Sequence, residues 1–204
     1  MPTLTLTEVK SVCSIAYDGE TGERYQFADG ATWSILQHWG TWSTGFKGII
    51  IVPEGRSGVY CMSFAGTDSL LDVGVDINQV FGGLPTQYSQ ALRWAQSAYG
   101  VAGSSFVLAG HSLGGGLAAY CSVHLGCPAY TVNPAPLVGA ATLSSLRTNA
   151  QITNYIASCE FVSSSPGRNP GIDVVVPSAG GRLSFFTDHS LSAVAPSIAL
   201  PTKL

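Results

Sequence analysis

Charge is what this chain has least of. Of 204 residues, nine are Lys or Arg and twelve are Asp or Glu, for a net charge of −3. No basic block or stripe occurs, which excludes the electrostatic footprint of a nucleic-acid binder and polybasic docking to an anionic membrane. No CxxC pair occurs, and the cysteines are odd in number: Cys13, Cys61, Cys121, Cys127 and Cys159. A disulfide framework is therefore not expected. Buried thiols are, with Cys127 the most accessible of them. No apolar run approaches the roughly 20 residues that span a bilayer. The opening stretch, Met-Pro-Thr-Leu-Thr-Leu-Thr-Glu, lacks the basic segment and continuous apolar segment of a cleaved secretory signal. The expectation is synthesis in the cytoplasm without a classical signal peptide, with any export by a signal-independent route.

Apolar residues, by contrast, make up 46% of the chain, and 24 residues are glycine. Low charge with high apolar content fits a largely parallel sheet covered on both faces, whose strands are apolar throughout. An apolar surface that meets lipid is the sharper reading of the same numbers. No repeat or low-complexity linker interrupts the chain, so residues 1–204 are read as a single domain.

Periodicity gives the element order. Residues 7–17 read as a helix that turns Val9, Val12, Cys13 and Ala16 inward. Asp18-Gly19 and Asp29-Gly30 are turn signals. Three tryptophans, Trp33, Trp39 and Trp42, are read as packing residues. FKGIIIV (46–52) and GVYCMSFA (58–65) read as strands joined by a turn at Pro53-Glu54-Gly55-Arg56. A helix is expected over 86–99 with Thr86 as its N-cap, and a strand over 104–109. A helix over 113–125, a strand over 129–132, a helix over 140–149, and strands over 152–157 and 172–176 complete the order. Strands alternating with helices predict an α/β fold with a mostly parallel central sheet and helices on both faces.

Gly110-His111-Ser112-Leu113-Gly114 is a G-x-S-x-G segment between an apolar strand and a helix, the context in which that motif carries a nucleophilic serine. The turn is tight, so side chains two residues either side of the serine would meet backbone. The helix N-terminus directs its positive end at the place where an oxyanion would form. A serine hydroxyl needs a base, and the base an orienting carboxylate. His111 lies within the elbow and reads as a packing residue, or one that supports the site from behind, rather than as the base. His124 is about three turns along the following helix, too far to reach Ser112. His38 sits among tryptophans and reads as a buried, hydrogen-bonded histidine. His189, late in the chain, fits the order serine, acid, histidine. For the acid, Glu160 follows the strand ending at 157, and Asp173 is the alternative at the start of the next apolar run; Asp188 adjoins the base in sequence, an arrangement that rarely aims one side chain at the other.

Three segments resemble the class 3 lipases, the fungal triacylglycerol-lipase-like branch of the α/β-hydrolase fold. They are Ser63-Phe64-Ala65-Gly66-Thr67-Asp68-Ser69, Ala109-Gly110-His111-Ser112-Leu113-Gly114-Gly115-Gly116-Leu117-Ala118 and Val132-Asn133-Pro134-Ala135-Pro136-Leu137-Val138-Gly139. The resemblance spans about residues 7–195. It implies an oxyanion hole built from the backbone N–H groups of Thr67 and Leu113, with Asp76 supporting the Thr67 hydroxyl. It also implies a short apolar flap from Leu70, Leu71, Val73 and Val75 to a hinge at Phe81-Gly82-Gly83-Leu84-Pro85. Two positions depart from the family pattern: Ala65 replaces the usual arginine, and Cys159-Glu160-Phe161-Val162 stands where the family carries an aspartate. The activity implied is hydrolysis of a lipid carboxylic ester, acylglycerol or phospholipid, through an acyl-enzyme and without metal or cofactor. Small size, resemblance and the missing signal together suggest an antibacterial phospholipase effector with a delivery or inhibitory protein partner. Two rivals stand beside this reading: a lipid- or partner-binding module that has lost the triad, and an amidase or peptidase built on the same residues.

Overall fold

The computed structural model describes residues 1–41, 45–66, 85–137, 151–158, 169–179 and 190–204. The expected helix over 140–149, the flap, Trp42 and Cys159 lie outside the described residues.

The chain opens on α1 (Leu6–Ile15), started by a reciprocal capping box. Thr5 Oγ1 accepts from the Glu8 N–H at 3.2 Å, and the Thr5 N–H donates to Glu8 Oε2 at 2.8 Å. Both groups are otherwise orphans of the helix start. Val9, Val12 and Cys13 are fully buried and Ala16 nearly so, matching the face read from the sequence.

Among the described residues nine strands form one sheet: β1 (Arg24–Gln26), β2 (Thr32–Thr41), β3 (Phe46–Pro53), β4 (Tyr60–Phe64), β5 (Phe106–His111), β6 (Ala129–Val132), β7 (Ile152–Ala157), β8 (Ile172–Val176) and β9 (Thr202–Lys203). Their spatial order is β8-β7-β6-β5-β4-β3-β2-β1-β9. Pairing from β4 to β8 is parallel, and from β4 through β3, β2 and β1 to β9 it is antiparallel. The sheet is thus mixed, with the parallel half carrying the elbow. The expected turn after β3 is present, and Gly55 adopts φ 74° there, a conformation costly for a residue with a Cβ. A bulge between Ile35 and Gln37 expels Leu36 to the surface.

Two helices cross back over one face, α2 (Pro85–Ala102) and α3 (Leu113–Leu125), while α1 covers the other. β5 is buried at every residue, as a strand covered on both faces must be. One core holds α1 against Val107, Ala109, Ile49 and Ile51; the other holds α2 and α3 against Phe106, Leu108, Met62 and Phe64. Each such large side chain, fully buried, contributes about 1.5–3 kcal/mol relative to exposure. The tryptophans pack as expected: Trp33 stacks on Phe27 at 5.1 Å, and Trp39 on Trp94 at 5.2 Å.

Several local expectations are corrected. The 86–99 helix starts at Pro85, so Thr86 is inside it rather than capping it; a proline suits a first helical position because that N–H has no partner to lose. Cys127 is buried, not accessible, as are Cys13, Cys61 and Cys121. Burial pushes the Cys13 and Cys127 thiols up to about 12. β8, read from the sequence as one more apolar strand, is the last strand on its side of the sheet among the described residues, with Ile172 and Val175 exposed. β1 and β9 carry no strand pattern long enough to read, and β9 is joined to β1 by the Lys203–Glu23 ion pair.

Candidate active site

The site forms where β5 turns into α3. Ser112 stands between them with φ 57° and ψ −125°, a strained conformation for a residue with a Cβ, costing about 1–3 kcal/mol. Three backbone hydrogen bonds hold it. The Ser112 N–H donates to the Val132 carbonyl at 3.1 Å, and its carbonyl accepts from Ala135 N–H at 2.8 Å and Gly116 N–H at 3.2 Å. β6 and the segment after it therefore clamp the turn. Asn133 enters that segment with φ 42°, and its Oδ1 accepts from Ala157 N–H at 2.8 Å, tying the clamp to the end of β7.

The motif glycines are steric necessities. A Cβ on Gly110 would lie 2.1 Å from the Gly114 carbonyl oxygen, and one on Gly114 would lie 2.1 Å from the Phe64 carbonyl oxygen. The chain crosses itself and β4 at backbone contact, which only glycine permits.

A serine at a helix start ordinarily turns its oxygen back to accept from the first-turn N–H groups. Ser112 does not: it makes no side-chain cap bond, and its Oγ is buried without a hydrogen-bond partner among the described residues. Both its hydroxyl and the N-terminal end of α3 remain uncommitted to each other. A buried, unpaired hydroxyl costs stability; Ser11, Ser63 and Tyr88 carry hydroxyls in the same condition, and Ser112 differs from them in combining it with a strained turn at a helix start.

Of the other expected site residues, Leu113 follows Ser112 as the first residue of α3. Thr67, Asp76, Glu160 and His189 lie outside the described residues. The chain is described up to Gly66, whose Cα is packed on the elbow: a Cβ there would lie 3.0 Å from Ser112 Cβ and 2.9 Å from the His111 carbonyl oxygen. It is described up to Ser158, whose N–H donates to the Val176 carbonyl at 3.0 Å beyond the end of β7, two strands from β5.

Asp173 is described, and it is in mid-strand on the edge strand β8. Its carboxylate accepts from Asn154 Nδ2 at 2.9 Å, and Asn154 Oδ1 in turn accepts from Thr131 Oγ1 at 2.7 Å. The row Thr131–Asn154–Asp173 crosses β6, β7 and β8 level with Gly110, below the carboxyl ends of the strands. Asp173 is three strands from β5, or about 14 Å at the usual strand spacing.

The remaining histidines are elsewhere. His124 Nδ1 pairs with the Tyr120 carbonyl at 2.8 Å on α3. His38 is half-buried on β2 with Nδ1 3.1 Å from Glu20 Oε2, rather than buried among the tryptophans. His111 is buried, with Nδ1 2.7 Å from the Tyr17 hydroxyl. Tyr17 was not legible as a site residue in the sequence, since a lone tyrosine after a helix carries no motif.

Residues 28–162 match a phospholipase-like family, the Tle-like phospholipase domain. The chain belongs to this family. An extracellular phospholipase A1 of Serratia liquefaciens is 43% identical over 76 residues, which are 37% of this chain and 24% of that protein; the match spans about a quarter of that relative's length. The fold is similar to that of a triacylglycerol lipase from Penicillium expansum, with TM-score 0.63 and 13% identity over 94% of this chain and 86% of that one. It is also similar to Rhizomucor miehei lipase in its propeptide complex, with TM-score 0.57 and 13% identity over 92% and 78% of the respective chains. The expected fold, an α/β-hydrolase of the fungal-lipase type, is the one observed. Membership also gives the elbow its setting: the matched region includes β4, β5, α3 and the clamp after β6. Among the described residues no helix is long and apolar enough to cross a membrane.

Proposed function

We propose that this protein hydrolyses a carboxylic ester of a phospholipid, with Ser112 as the nucleophile. The observation that carries the reading is the Ser112 elbow itself: a strained, backbone-clamped serine whose buried hydroxyl is withheld from the helix it starts. The phospholipase-like family membership and the likeness to a phospholipase A1 support phospholipid over other esters.

In the proposed mechanism His189 accepts the proton of Ser112 Oγ as that oxygen bonds to the ester carbonyl carbon. The carbonyl oxygen becomes an oxyanion, held by the N–H groups of Thr67 and Leu113, with Asp76 behind Thr67. His189 returns the proton to the departing alcohol oxygen as the ester C–O bond breaks, which leaves an acyl-serine. A water then repeats the sequence and releases the fatty acid. Each oxyanion donor is worth about 3–4 kcal/mol of barrier. Glu160 is the acid that orients His189. Support for this choice is that the described chain leaves β7 at its carboxyl end just before Glu160, whereas the alternative, Asp173, is committed to Asn154 within β8. The same reading includes a protein partner that inhibits or delivers the enzyme, since a phospholipid hydrolase is made beside its own substrate.

The substrate test uses two lipid forms. Release of fatty acid and lysophospholipid from mixed phospholipid vesicles is the expected result. Hydrolysis of a triacylglycerol emulsion with no action on the vesicles would reject the phospholipid reading.

A further inference from the structure

The elbow has a neighbour that the mechanism above does not use. Tyr17, just beyond the end of α1, is fixed at both ends. Its carbonyl accepts from Lys47 Nζ at 3.1 Å, and its hydroxyl hydrogen-bonds His111 Nδ1 at 2.7 Å. Lys47 also uses its own carbonyl to accept from Ala65 N–H at 3.1 Å, so the same residue steadies the chain entering Gly66. The Tyr17 hydroxyl then meets Gly66 directly: a Cβ on that glycine would lie 2.7 Å from Tyr17 Oη, closer than to the His111 carbonyl oxygen or Ser112 Cβ. The Tyr17 hydroxyl and the nucleophile turn therefore face Gly66 from the same side, where together they leave no room for a Cβ.

We propose that Tyr17, bonded to His111, is a positioning residue that completes, with the elbow, the seat on which Gly66 rests and so fixes the spacing across the oxyanion hole. This rests on the reading of Ser112 as nucleophile and of the residue after Gly66 as an oxyanion donor. The physical reason is geometric. The two donors come from separate segments, one after β4 and one after β5, and their separation depends on how closely Gly66 rests on the turn between His111 and Ser112. A donor is effective only within hydrogen-bond reach of the oxyanion, and a misplacement of about 1 Å lowers turnover by up to roughly 100-fold. Without the hydroxyl, His111 loses its bond to Tyr17 and Gly66 loses one wall of its seat.

The test compares Tyr17→Phe, His111→Leu and His111→Asn on a soluble short-chain ester, with thermal midpoints recorded alongside. The asparagine amide offers a donor and an acceptor near the position of Nδ1. The expected result is that Tyr17→Phe and His111→Leu lower kcat roughly 10- to 100-fold while KM changes little, and that His111→Asn restores most of the loss. Parent kcat in Tyr17→Phe would overturn the proposal, and so would His111→Asn as impaired as His111→Leu, or losses that follow only the thermal midpoint. A fluorophosphonate probe separates this failure from failure of the functional reading. If Ser112 of the parent protein is labelled but Tyr17→Phe is labelled equally fast, only the positioning role falls; if the parent is not labelled at Ser112, the nucleophile reading falls.

Discussion

The carboxylate of Asp173 accepts a hydrogen bond from the side-chain amide of Asn154 at 2.9 Å, within the sheet rather than at its carboxyl edge. This bond completes a polar row with Thr131 and fixes which way the Asn154 amide points. This carboxylate, three strands from β5, is bonded to an amide, and under the proposed function it is not the residue that orients His189. Asp173→Asn is expected to keep turnover close to the parent, at a modest stability cost of about 1 kcal/mol for the altered hydrogen bond. Glu160→Gln is expected to lower kcat by a factor on the order of 10²–10⁴, because an amide in place of the orienting acid favours the wrong histidine tautomer. Steady-state kinetics on both variants decide between them, and a large loss in Asp173→Asn alone would reverse the assignment.

The crossing of β4, β5 and α3 admits no side chain at Gly110 or Gly114. Gly114→Ala would set a methyl 2.1 Å from the Phe64 carbonyl oxygen, which is backbone and cannot swing aside. The expected loss is about 3 kcal/mol or more, the upper range for overpacking. Gly100→Ala is the control, since a Cβ there meets nothing within 4 Å. Urea unfolding of the two variants measures the difference.

Acid sensitivity should come in part from the C-terminal strand. The Lys203 ammonium bonded to Glu23 holds that carboxyl down to about 2, and Arg24 does the same for Glu54. Both values are below the 4.5 of an unperturbed glutamate, so the unfolded chain binds protons first as pH falls. Their stabilisation is fully present above pH 4.5 and is lost as pH falls toward 2. Both pairs face solvent, so the effect is modest and weakens with salt. Stability of Glu23→Gln should be lower than the parent at pH 6 and converge with it near pH 2, measured by urea midpoints across that range. A constant gap at all pH values would contradict the assignment.

Much of this architecture was readable from local pattern. The strand, elbow and helix around Ser112 were legible because the constraint there is steric and local: an apolar strand buried on both faces, glycines where backbones touch, and a helix ended by Gly126 at φ 67°. α1 was legible from its 3.6-residue period. What was not legible depends on contacts distant in sequence. β9 exists because Thr202 and Lys203 pair with β1 from the far end of the chain. β8 looks like an interior strand in composition, and only its place in the sheet makes it an edge. Thr86 has the right residue type for a cap, yet Pro85 before it starts the helix two residues earlier than a cap at Thr86 requires. The bond from Asn154 to Asp173 depends on the register of β8 against β7, which no local pattern gives. Tyr17 and His111 are 94 residues apart, and no spacing rule links them.

The central claim is that Ser112 is an activated nucleophile. Its most direct test is reaction of the intact protein with a fluorophosphonate, followed by peptide mass mapping and assay on phospholipid vesicles. The account predicts one adduct, on the peptide containing Ser112, with release of fatty acid abolished in proportion to labelling, and neither labelling nor release in Ser112→Ala. Fatty-acid release by Ser112→Ala at the parent rate, or an unlabelled Ser112 in fully active protein, would contradict it.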